Sequence, residues 1–145
     1  MMKTLAVLGA GLLTSAAGLL PAQATSDEAI TLGAVGSSAY TVSATSDPLI
    51  APLGTDNPTL ALQIGKRYKV TNGAQFAHPF SVIARGASFF DDTTLMAQGS
   101  QTGTVEGNAG VGWLDSGADM YFTLTPQLVD LMTAEGKTGG NGSGG

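Results

Sequence analysis

The sequence contains no cysteine, and its 145 residues include only one histidine and one tryptophan. Without cysteine no disulfide can staple the fold, even in an oxidising compartment, so the core must come from packing alone. The thioether lipid anchor of bacterial lipoproteins needs a cysteine and is excluded on the same ground. Basic residues are scarce too: six Lys and Arg stand against 11 Asp and Glu. Lys66, Arg67 and Lys69 form the only basic cluster, too small for the stripe that nucleic acid or an anionic lipid surface requires. Charged residues make up 12% of the chain, too few for a charge-rich disordered tail.

Long hydrophobic runs are absent with one exception. Residues 5–20 are apolar, preceded by Lys3 and followed by Pro21-Ala22-Gln23-Ala24, a small-x-small cleavage pattern. The run suits a signal-peptide core and falls short of the roughly 20 apolar residues of a membrane span. Residues 1–24 are therefore expected to be a signal peptide and the protein to be secreted or periplasmic, with an uncleaved N-terminal anchor as the alternative. No second apolar segment follows, so no membrane insertion is expected after signal removal. Cleavage leaves 121 residues with five basic and 11 acidic side chains, a formal charge of −6. That length suits one weakly acidic domain with a real core.

What is present is short-range alternation. Residues 25–37 are small and polar apart from 29–32 and read as a leader into a domain spanning 38–135. Residues 38–43, 59–64 and 67–71 alternate as strands do, with Leu60, Leu62 and Ile64 on one face and Tyr68 and Val70 inward. Asn72-Gly73 is a strong turn signal. Residues 79–84 read as a strand covered on both faces. Between Gly86 and Gly112 the chain is rich in Gly, Ser, Thr and Asp, with a weak strand signal at 102–105. Residues 111–114 and 120–124 flank a turn at 115–118. Pro126 opens a short helix: Leu128, Val129, Leu131 and Met132 lie at helical spacing after Thr125, a good N-cap. Residues 136–145 read as a flexible Gly-rich tail. About seven short strands and turn signals make an all-β sandwich or barrel the expected fold. The long amphipathic helices of an α/β domain are missing.

Three features in sequence order resemble the cupredoxins, the plastocyanin and azurin type of single-copper proteins. Leu60, Leu62, Gly65, Tyr68, Val70 and Asn72 resemble the hairpin that runs up to the first copper ligand. Ala77-His78-Pro79-Phe80 with Val82 is similar to the segment carrying that histidine. Val111, Trp113, Asp115, Gly117 and Phe122-Thr123-Leu124-Thr125 are similar to the strand pair before the ligand loop. The resemblance implies a Greek-key β-sandwich with His78 at the first-ligand position. It also implies a departure. A type 1 copper site takes two imidazoles, a thiolate and usually a weak axial Met, whereas residues 131–137 stand where the ligand strand and loop should begin. With no Cys and one His, this chain cannot build that site.

His78 is thus the only candidate metal ligand, and its alternative is a retained histidine bonded to backbone. Met96, Met120 and Met132 could assist it with Cu(I), or be core and loop fillers. Asp91, Asp92, Asp115 and Asp119 offer oxygen to calcium but lack a calcium loop's spacing, so turn-forming roles suit them better. No Gly-x-Ser-x-Gly elbow supports a hydrolase, and Gly107, Gly110 and Gly112 form no phosphate cradle. Trp113 reads as a core plug rather than a sugar platform. Asn141-Gly142-Ser143 is a glycosylation sequon, relevant only in a eukaryotic host.

No enzyme is expected, and no cofactor unless the chain is incomplete, when copper would be the one. The leading expectation is a metal-free cupredoxin-like module that binds a protein or small molecule or serves as an extracellular structural part. The alternatives are a blue-copper electron carrier whose remaining ligands lie beyond Gly145, and a self-assembling subunit. In the last, an uncovered sheet edge would pair with residues 29–32 of a neighbour.

Overall fold

A computed structural model describes residues 24–133. The expected signal peptide, apart from Ala24, and the expected tail at 136–145 lie outside the described residues. The elements are β1 (Glu28–Val35), β2 (Ala39–Thr45), β3 (Arg67–Asn72), β4 (Ser81–Ala84), a 3-10 turn (Phe89–Asp91), β5 (Thr93–Ala97), β6 (Leu114–Ser116), β7 (Asp119–Thr123) and α1 (Pro126–Thr133). Five strands form one sheet in the order β2-β1-β3-β7-β6, and β4 and β5 form a second. The fold is all-β with one short helix. Among the described residues no helix is long and apolar enough to cross a membrane.

Several readings of the sequence change. The supposed leader is β1, at the interior of the larger sheet, antiparallel to β2 and parallel to β3. Ile30 and Leu32 are buried on its inner face. Gly33 obscured the strand pattern, yet a Cβ there would stand 2.8 Å from Thr41 Oγ1, so any larger residue would have to displace the Thr41 side chain. Because residues 29–32 are paired on both sides, they are not free to be lent to a neighbour.

Residues 59–64, expected as a strand, are an extended loop. Their backbone bonds scatter: Ala61 N donates to Ile50 O, and Gln63 N donates to the buried Tyr68 hydroxyl at 2.7 Å. Leu60 and Leu62 do pack against the core, but Ile64 faces solvent.

The strand expected at 102–105 is a turn leaning on β5, with Thr104 N donating to Thr94 O and Val105 N to Leu95 O. Gly103 permits the contact, since a Cβ there would meet Leu95 O. β5 itself went unread, because its five residues sit inside a stretch of turn formers.

Residues 111–113, expected as strand, are turn and loop, and β6 (Leu114–Ser116) runs into the turn expected at 115–118, which shortens to 117–118. The remaining elements follow their patterns more closely. In β3, Tyr68 and Val70 point inward, and the Tyr68 ring stacks at a tilt on Phe122 of β7, with centroids 5.8 Å apart. Val82, Ile83 and Ala84 are buried in succession, as a strand covered on both faces demands. Helix α1 starts where Thr125 Oγ1 accepts the Leu128 N–H at 3.1 Å, and Leu128 anchors it in the core. Leu131, expected on the same face, is instead half exposed. The helix runs through Thr133, across the point where the resemblance expects a strand to begin.

Candidate functional site

The segment carrying His78 joins β3 to β4 at one end of the sheets. Its geometry starts with Asn72, the last residue of β3, which is 1% exposed. The Asn72 carboxamide does three things at once. Its Nδ2 donates to His78 O at 2.7 Å and to Gln98 Oε1 at 3.0 Å, and its Oδ1 accepts the Ala74 N–H at 3.1 Å. Gln98, 3% exposed just after β5, is equally engaged. Its Oε1 also accepts the Phe80 N–H, and its Nε2 donates to Gly117 O in the β6–β7 turn. Tyr40 of β2 donates its hydroxyl to His78 O and Pro79 O, at 2.8 and 3.1 Å. Burial pushes the Tyr40 pKa up, which keeps the hydroxyl a donor.

The loop is therefore clamped from β2, β3, β5 and the β6–β7 turn. It closes on itself too, because Ala77 N and His78 N both donate to Ala74 O. The Gln75 carboxamide, oriented to match its neighbours, donates to Asn72 O and accepts the Ala118 N–H. What this frame holds out is apolar. Phe76 is 98% exposed, and Ala77 and Pro79 are exposed beside the half-buried His78. From residue 72 to 84 the chain has no charged side chain apart from what His78 acquires on protonation.

His78 does not meet the other residues considered for a metal. Its backbone is held on three sides, while its ring has no hydrogen bond among the described residues, so the expected ring-to-backbone bond is not found. Met96 and Met120 are fully buried in the core, and Met132 packs against it from α1. The carboxylates are spent on structure. Asp91 accepts from Ser88, and Asp92 from Arg85 and Gly86 N. Asp115 accepts from Gly99 N and Gly117 N, and Asp119 from Thr71 and Lys69. Among the described residues no three His, Cys, Asp or Glu gather where a metal could sit. The donor set does not fit type 1 copper, because no thiolate and no second imidazole exist in the sequence.

Trp113 is partly buried and packs against the core, close to its expected role. The basic cluster is engaged by its own neighbours at the surface. Lys66 pairs with Glu28, Lys69 with Asp119, and the Arg67 guanidinium reaches the carbonyls of Thr25 and Gly112. A cleft of about 60 Å³ opens between Leu32, Tyr40, Leu60 and Phe80. That is less than half the roughly 150 Å³ of a cavity that admits benzene.

Sequence reasoning found His78 but missed Asn72 and Gln98 as its supports. Asn72 was legible as a turn former and as the end of the hairpin motif, not as a buried clamp, and nothing local marks Gln98 as buried. Comparison of this chain with known protein families, curated proteins and solved structures found no match.

Proposed function

We propose that this protein is an exported, cupredoxin-like module that works by binding a protein partner, with the loop at 73–79 as its contact surface and no redox role. One observation carries the reading: an almost fully exposed Phe76 stands on a loop fixed by a buried amide pair and a buried tyrosine. A rigid aromatic anchor loses little conformational entropy on docking, which is why such residues dominate binding energies. The missing thiolate and imidazole argue against electron transfer.

Two measurements test this. After loading with excess Cu(II) and desalting, the protein should retain no stoichiometric copper; one tightly held copper per chain would reverse the reading. A photo-crosslinker at position 76 should trap a defined partner in the native extracellular setting, whereas one at Asp130 on α1 should not. Identical products from both positions would refute the loop as the contact surface.

A second reading has one observation of its own. Among the described residues β4 pairs with β5 only, so the second sheet has two strands and an edge at which a further strand could add. An electron carrier with more chain after Gly145 would supply that strand and its ligands. Intact mass spectrometry of the natively produced protein separates the two readings.

A further inference from the structure

We propose that Asn72 is a latent deamidation site, held unreactive by the hydrogen bonds of the His78 loop and released when that loop opens. The reacting pair is Asn72-Gly73. Deamidation begins when the Gly73 backbone nitrogen attacks Asn72 Cγ. The Cγ–Nδ2 bond breaks, and ammonia leaves with the proton from the Gly73 nitrogen. Water then opens the cyclic imide at either carbonyl, leaving aspartate or isoaspartate.

The two halves of this pair are treated in opposite ways. Gly73 is exposed, a Cβ there would meet nothing within 4 Å, and its N–H donates to no described residue. The nucleophile is open. Asn72 is buried, and its carboxamide is fixed at both ends by His78 O, Gln98 Oε1 and Ala74 N. To present Cγ to Gly73 the amide must leave all three partners and admit water.

Conversion is also one-way. A carboxylate at position 72 would aim an acceptor oxygen at two others, His78 O and Gln98 Oε1. Gln98 cannot turn to compensate, because its Oε1 holds Phe80 N and its Nε2 holds Gly117 O. Unmatched buried acceptors are costly. A loop that opens long enough to react therefore does not close again in the same form.

The test follows the residue 72 peptide by mass spectrometry in the whole chain at neutral pH, across a urea series. Three hydrogen bonds on one amide should slow conversion in the native protein about 100-fold relative to the unfolded chain. Equal rates in native and unfolded protein would overturn the proposal, as would no conversion in the unfolded chain. Gly73→Ala should slow conversion in urea by hindering the nucleophile, and an unchanged rate there would place the chemistry elsewhere. Gln98→Met should speed conversion in the folded state about 5-fold. Should that variant not fold, the wild-type urea series decides alone.

Discussion

Replacing Gln98 by Met tests how much of the domain hangs on one buried amide. The substitution keeps side-chain length and approximate volume, so packing changes little. It removes three hydrogen bonds, but their losses differ. The Phe80 N–H belongs to a residue 6% exposed and loses its only partner, a cost of about 1–3 kcal/mol. Asn72 Nδ2 keeps His78 O and loses one of two acceptors, about 1 kcal/mol more. Gly117 O lies in an exposed turn where water replaces the donor at little cost. Burying an apolar thioether returns part of the loss. The net expectation is a destabilisation of about 3 kcal/mol, or a fall in Tm of roughly 12 °C for a domain of this size. Urea unfolding followed by the fluorescence of Trp113 measures it, with an unchanged m-value as the check that unfolding stays two-state. A loss below about 1 kcal/mol would mean that water substitutes freely for Gln98, and the clamp would not be the frame of the loop.

Three further outcomes are expected. Leu128→Ala should cost about 2–4 kcal/mol, since Leu128 is 1% exposed and is the one fully buried residue of α1; a smaller loss in thermal unfolding would show that the helix is dispensable. His78→Ala should change stability by less than about 1 kcal/mol in urea titration, because the loop is held through the His78 carbonyl rather than its ring; a larger loss would reveal a ring contact. The Lys69 and Thr71 hydrogen bonds hold the Asp119 carboxyl below its ordinary pKa. Its contribution is complete above the unfolded carboxylate range and fades as pH falls through the folded value. The stability gap between wild type and Asp119→Asn should thus close in acid, whereas a gap independent of pH would contradict that pairing.

The sequence made the class of the fold legible where side-chain period and structure coincide. β2 and β3 announce themselves by alternation, β4 and β7 by a short apolar run, and the start of α1 by a capping threonine. It misled where a tertiary contact decided the outcome. Gly33 looks like a strand breaker and is a close-approach residue against Thr41. Residues 59–64 alternate correctly, but the Ala61 and Gln63 N–H groups go to Ile50 O and the Tyr68 hydroxyl instead of a neighbouring strand. The candidate site divided in the same way. His78 stood out by chemistry, whereas Asn72 and Gln98 matter only because residues distant in sequence bury them together.

The parallel pairing of β1 with β3 bears on how the chain comes to be folded. The first strand made is an inner strand of the larger sheet, and it lacks its second neighbour until Val70 is available opposite Ile30. β3 in turn waits for Tyr121 opposite Lys69. A sheet assembled from such distant pairings folds slowly, because loop-closure entropy is spent before contacts repay it. During that wait the β1–β2 hairpin is only marginally stable in water. Under the export proposed above, that delay would keep the chain threadable until its last strands are free.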